Sequence, residues 1–180
     1  MSLNEKSLRC IQLMLISLFA SMNMAYFLCY YNVTLFDRGS VFVMGAVLGL
    51  AETTSTAISG YLMIKTNSRF TYHLYAVTAS VFYLKLYYGR EFLLSGSGIF
   101  GVIVLYISMS GVGGAYNTLF IIIEEVMPPD WLGQTISICL ATCQLTASLC
   151  PQIALLKMPI PILMTVGFLV YSQYGVYYIS

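Results

Sequence analysis

Along this chain, apolar stretches of about 18 to 26 residues recur six times, divided by five short breaks of charged, polar, Gly or Pro residues. A helix rises 1.5 Å per residue, so about 20 residues span a hydrocarbon core about 30 Å thick. The stretches run approximately over residues 10 to 31, 41 to 64, 71 to 88, 98 to 123, 132 to 153 and 160 to 178. The breaks read "NVTLFDRGS", "KTNSRF", "GREFLLSGS", "EEVMPPD" and "LKMPIP". Residues of these kinds end helices and let freed backbone groups meet water. The pattern predicts an all-α integral membrane protein with six transmembrane helices in one domain over residues 1–180, and no room for a soluble domain. Barrel strands would alternate apolar and polar positions, whereas "MGAVLGLA" and "FGVIVLYI" are apolar all round.

Composition points the same way. Hydrophobic residues make up 59% of the chain and charged residues 8%, with a mean hydropathy of +0.83, against about a quarter charged in soluble domains. A soluble fold of this length has too little interior to bury so much apolar surface, so the expected partner is a lipid bilayer. The net charge of +1 supplies no basic stripe, which excludes nucleic acid. The first stretch is longer than a signal-peptide core and lacks a small-residue cleavage pattern, so it is expected to be a retained span. Lys6, Arg9, Lys65 and Arg69 fall on one side, and Arg38, Arg90, Lys157 and a snorkelling Lys85 on the other, so the charge bias sets no orientation. Cys10, Cys29, Cys139, Cys143 and Cys150 all lie in apolar segments, unlike a secreted disulfide framework.

Small residues predict where helices meet. Gly45 and Gly49 form one small-xxx-small pair, and Ser110 and Gly114 a second, thinned further by Gly111 and Gly113. The denser Ser110–Gly114 cluster is expected at a helix contact or beside a cavity.

Ionisable groups within a span cost about 2.5 to 3.5 kcal/mol at its centre, which makes each one a candidate site. Glu52 is the carboxylate well inside an apolar segment. It is either a counter-charge or proton acceptor for a solute, or a structural hydrogen-bonding group satisfied by the adjacent "TTST" hydroxyls. Asn23, Tyr26, Tyr30 and Tyr31 on the first stretch, with Tyr116 and Asn117 on the fourth, can form an aromatic and amide wall. Tyr26 and Tyr30 are four apart and share a helix face, and aromatic rings attract organic cations. Cys139 and Cys143 share a face too, but no His or further Cys stands at ligand spacing and the lone His73 lies elsewhere, so they are expected as core thiols. No cofactor or metal is expected. The Asn32-Val33-Thr34 glycosylation sequon hugs the membrane boundary. No nucleophile with a base, HExxH or phosphate loop is present, so the chain is not expected to be an enzyme.

The segment "GVGGAYNTLFIIIEEVMPPDWLGQT" resembles the tenth helix and following loop of the organic cation and anion transporters of the major facilitator superfamily. In that family an apolar helix ends in Glu, then Tyr-Pro-Thr, then an Arg that opens the eleventh helix. Glu125 stands at the Glu, Pro128 at the Pro, and Leu132 where the Arg would be. "LATCQLTASLCPQI" is similar to the eleventh helix, with Pro151 matching a Pro near its outer end. "VLGLAETTSTAISGYLMI" looks like the eighth, where Glu52 precedes a Pro position occupied by Thr54. "KTNSRF" takes the place of a Gly-Arg-Arg signature and keeps only Arg69.

The resemblance covers nearly the whole chain and implies the C-terminal six-helix half of such a carrier. It implies that Glu125 belongs to a gating charge network, with Arg69 as its partner, or else that the acidic corner simply marks the membrane interface. It implies that Gln144 occupies a selectivity position usually charged in the family and neutral here, or else bonds a neighbouring helix. The function implied is transmembrane transport of small organic solutes, completed by a second six-helix half or by a homodimer. The alternative is a structural subunit of a larger membrane complex that descends from such a carrier and no longer transports.

Overall fold

The computed structural model describes residues 5–33, 41–88, 98–156 and 160–179. They form six helices: α1 (Glu5–Val33), α2 (Val41–Lys65), α3 (Ser68–Tyr88), α4 (Gly98–Val126), α5 (Pro129–Ala154) and α6 (Ile160–Ile179). Most of the first break, the whole of the third, and Lys157 to Pro159 lie outside the described residues. So do the orientation cations Arg38, Arg90 and Lys157, and Thr34 of the sequon.

Helix ends follow local chemistry. α1 begins five residues before its apolar stretch because Glu5 and Arg9, one turn apart, pair at 2.6 Å on the exposed face. Between α2 and α3 only Thr66 and Asn67 intervene; the Asn67 side-chain oxygen accepts from the Arg69 amide at 3.3 Å and the Ser68 hydroxyl at 3.2 Å, capping α3. Between α4 and α5 the link is Met127 and Pro128. Pro128 is extended, at φ −60° and ψ 149°, and its carbonyl accepts from the Trp131 and Leu132 amides, each at 3.0 Å. Pro129 opens α5, where a missing N–H leaves no bond unmade, and Asp130 in the first turn suits the positive helix end.

Among the described residues, four helices are long and apolar enough to cross a membrane, namely α1, α4, α5 and α6. Six were expected. α2 and α3 have the length, 25 and 21 residues, about 37 and 31 Å of helix. α3 is the less apolar of the two, carrying five tyrosines, His73 and Lys85, whereas α2 is apolar apart from the Glu52–Thr56 run and its terminal Lys65. Their outer faces are apolar all the same. Phe70, Leu74, Val77 and Val81 make a 4-3-4 stripe on α3, and Phe42, Leu50, Ile58 and Ile64 are exposed on α2.

α1 and α4 are the inner helices. α4 packs chiefly against α3 and α2, α1 against α5 and α6; α1 also meets α4, and α3 meets α6. Exchanging α1 with α4, α2 with α5 and α3 with α6 returns the same set of principal contacts. The core between them holds Leu18, Phe19, Met22, Tyr72, Tyr83, Leu119, Ile122 and Leu169.

The Ser110–Gly114 cluster is a helix contact. A Cβ on Gly111 would lie 2.7 Å from the Ala79 backbone nitrogen, one on Gly114 2.5 Å from the Tyr75 ring, and one on Gly113 3.0 Å from Ser55 Oγ. The Ser110 hydroxyl donates to the Ala51 carbonyl at 3.3 Å. α4 is thus wedged between α2 and α3 by the absence of side chains. Gly45 and Gly49 behave differently from the expected packing pair: nothing lies within 4 Å of either. α2 meets the rest of the bundle through the stripe Leu48, Ala51, Ser55 and Ser59, which leaves the glycine pair on another face.

Candidate functional site

Polar side chains first serve as fasteners between helices. Gln12 on α1 donates to Thr135 Oγ1 on α5 at 3.2 Å. Asn23, buried, donates to the Cys143 carbonyl at 2.7 Å and Thr146 Oγ1 at 3.0 Å. Asn23 therefore ties α1 to α5 and is not part of an open wall, as the sequence suggested. Tyr31 packs against the separate Met24, Leu28 and Cys150 cluster. Thr54 and Tyr106 join α2 to α4 at 2.5 Å.

A second set of polar groups gathers where α1, α2 and α4 converge. The Tyr26 and Tyr116 rings lie 5.9 Å apart at 30°. Phe19 and Phe120, 4.9 Å apart, back Tyr116 edge-on at 5.9 and 5.5 Å. The Tyr26 hydroxyl faces the Glu52 carboxylate. One turn along α2, Thr56 donates to the Glu52 carbonyl at 2.9 Å and accepts from Asn117 Nδ2 at 2.8 Å. Tyr30 is exposed one turn beyond Tyr26. The Cys143 thiol of α5 donates to the Phe19 carbonyl beside this wall at 3.8 Å. Five predicted pathway residues, Glu52, Tyr26, Tyr30, Tyr116 and Asn117, are thus brought together.

Gln144 is not joined to them by any described hydrogen bond. It sits on the exposed face of α5, one residue past Cys143. That face carries Gln134, Ser137, Gln144, Ser148 and Gln152, all exposed, at spacings of 3, 7, 4 and 4. Midway along α2 the exposed polar groups are Glu52, Thr53 and Thr56. The arrangement is two polar helix faces, on helices equivalent under the internal exchange, with an aromatic wall from α1 and α4 associated with them. Apart from Gln144 the α5 stripe was missed in the sequence, although polar residues recurring every three or four positions in an apolar helix were a usable signal.

Chemically, this surface offers one carboxylate, an amide, hydroxyls and π-faces. It suits a small amphipathic organic solute, above all one bearing positive charge, through the Glu52 charge and cation-π attraction.

At the acidic corner Glu125 accepts from the buried Ser68 hydroxyl at 2.6 Å. The Arg69 partner that the resemblance implied is not the one the structure forms. Among the described residues the ion pair present is Arg9 with Glu5. Ser68 is the first residue of α3, so its hydroxyl and the positive helix end both favour the carboxylate there. Pro128 acts as the cap of α5. Cys139 and Cys143 are buried and free, and among the described residues no three His, Cys, Asp or Glu side chains come together.

Comparison of the chain with protein-family models, with curated proteins and with solved structures gave no match.

Proposed function

We propose that the chain is a six-span half of a small-solute carrier of the major facilitator type, resembling the organic cation and anion transporters. The observation that carries this reading is the Tyr26–Glu52–Thr56–Asn117 group. An ionisable carboxylate sits midway along a helix in an otherwise apolar bundle, beside a half-buried tyrosine and left exposed. Such a residue inside a membrane marks a solute or ion path, because hydrocarbon contact would be unfavourable. The packing pattern that returns on exchanging helices 1–3 with 4–6 is the one expected of nested three-helix repeats in such carriers. α2 and α3 complete the six crossings in this reading, their apolar outer faces meeting lipid. Glu52 is the counter-charge for solute or proton; Tyr26, Tyr30, Tyr116 and Asn117 orient the solute, and Gln144 lines the opposite side. Glu125, Arg69 and Pro128 form the hinge corner, where the Glu125–Ser68 bond can exchange for a bond to Arg69 as the halves rock.

Reconstitution in liposomes tests this. Uptake of small organic cations above that of empty vesicles is expected, reduced about tenfold or more in Glu52→Gln. Uptake equal to empty vesicles, with the chain alone and with a candidate second half, would remove the reading.

A second reading is favoured by the charges that are missing. Leu132 stands at the Arg position, Gln144 is neutral, and Glu125 pairs with a neutral serine. Loss of gate and site charge leaves packing intact, as in a structural subunit of a larger membrane complex. Comigration with such a complex on native gels after gentle extraction would favour this reading, and migration as a small oligomer the carrier.

A further inference from the structure

We infer that Cys150, Met24 and Met164 form a binding site for a soft monovalent cation, Cu(I) or its congener Ag(I), at the end of the bundle away from the acidic corner. The site uses none of the residues on the proposed solute path, so it stands or falls apart from the carrier.

Three helices supply it. α5 starts at the corner and closes at Ala154, and α6 sets out from that far end at Ile160. Cys150 and Met164 each lie four residues, about 6 Å, from those termini. α1 contributes Met24. Cys150 and Met24 are buried, at 0% and 7% exposure, in a small cluster with Leu28 that is separate from the main core, and the partly buried Met164 packs against it. The Cys150 thiol points at Met24 Sδ, 3.4 Å away, and at the Thr146 carbonyl, also at 3.4 Å. Phe27, Tyr31, Ile153 and Phe168 pack around the group. A thiol is a weak donor and a thioether a weak acceptor, so the sulfur contact adds little as a hydrogen bond. Three sulfur side chains from three helices nevertheless meet there.

Thiolate and thioether are soft ligands that select Cu(I) over harder ions. On binding, the S–H bond of Cys150 gives way to a metal–sulfur bond and its proton leaves to water, while each thioether lends a lone pair. No electron is transferred. The thiolate cancels the charge of a monovalent ion, so the buried cluster stays neutral and the cost of placing charge in an apolar medium is avoided. A divalent ion would leave a positive charge behind, and zinc would also lack the fourth ligand of its closed sites.

The geometry allows it. With metal–sulfur bonds of about 2.3 Å, a trigonal ion holds its sulfurs about 4.0 Å apart. Met24 Sδ, now at 3.4 Å, has to withdraw by about 0.6 Å, within reach of an unbranched side chain with three rotatable bonds. The bound ion then ties α1, α5 and α6 together, extending the link that Asn23 makes from α1 to Cys143 and Thr146.

Cu(I) binding tests the site. The detergent-solubilised chain, with Cys10→Ser removing the exposed thiol, is given Cu(I) anaerobically as its bicinchoninate complex. One equivalent per chain should leave the chelator, and X-ray absorption should count about three sulfur neighbours at about 2.3 Å. Met24→Leu and Met164→Leu, which nearly conserve volume, should each remove one sulfur neighbour and weaken binding about tenfold or more. Cys150→Ser should abolish binding, and a folded Cys139→Ser, Cys143→Ser chain should bind as the parent does. No transfer of Cu(I) to the parent, binding that survives Cys150→Ser, or binding lost with Cys139 and Cys143 overturns the inference and leaves the cluster as packing only. Should Cys150→Ser fail to fold, the leucine variants decide: sulfur counts and affinities equal to the parent's overturn it. Silver nitrate should raise the Tm of the parent and leave that of Met24→Leu nearly unmoved; an equal rise in both overturns it as well.

Discussion

Gly111→Ala is the sharpest test of how the inner helices are held. The added Cβ would stand 2.7 Å from the Ala79 nitrogen and 2.9 Å from its Cα. These are backbone atoms, so no side chain can swing aside and α3 must move away from α4. Overpacking of this kind costs about 1–3 kcal/mol. Replacing glycine within a helix returns about 0.5–1 kcal/mol, which hides part of the loss. Gly167→Ala, on α6 with open space around it, collects the same gain without the clash. The difference between the two variants therefore isolates the overpacking and should be about 1–3 kcal/mol in favour of Gly167→Ala. At 1.4 kcal/mol per factor of ten, that is about 5- to 150-fold in the unfolding equilibrium. Reversible unfolding in mixed micelles, followed by circular dichroism, measures it. Gly111→Ala at least as stable as Gly167→Ala would refute the close approach of α3 and α4, and with it the wedge that sets Asn117 against Thr56.

The remaining predictions concern fasteners, thiols and the corner. A double-mutant cycle between Asn23→Ala and Thr146→Ala should give a coupling of about 0.6 kcal/mol, the usual size for a hydrogen bond between membrane helices; zero coupling would break the α1–α5 link. Folded protein in mild detergent should react with a bulky maleimide at one thiol, Cys10, and at all five after denaturation, because Cys29, Cys139, Cys143 and Cys150 are buried; mass spectrometry counts the adducts. Ser68→Ala should weaken the α3–α4 corner by about 1 to 2 kcal/mol, since a hydrogen bond to a carboxylate is lost, and unfolding of Ser68→Ala with and without Glu125→Gln shows whether the two effects add.

Helix number and extent were legible in the chain. Breaks at residues 65–70 and 124–130 coincide with the α2–α3 and α4–α5 corners, because Asn caps and Pro-Pro steps act locally. The starts of α1 and α5 were placed late, since hydropathy does not register an Glu5–Arg9 pair or a proline at the first helical position. The wall was legible in part: Tyr26 and Tyr116 announced themselves as aromatics and Glu52 as a carboxylate among apolar residues.

What the linear sequence determined is the set of helices, their apolar exteriors and the short corners, all products of interactions within a few residues and with solvent. Tertiary structure decided which polar groups are buried between helices and which bond at the exposed edge. Asn23 and Asn117 are the same residue type in similar apolar surroundings, yet one is buried against α5 and the other reaches Thr56 beside Glu52. It also sent Gly111 and Gly114 inward and left Gly45 and Gly49 bare. The physical reason is rotational: a helix apolar on nearly every side has no strong intrinsic facing, so its orientation about its own axis is set by close fit to its neighbours.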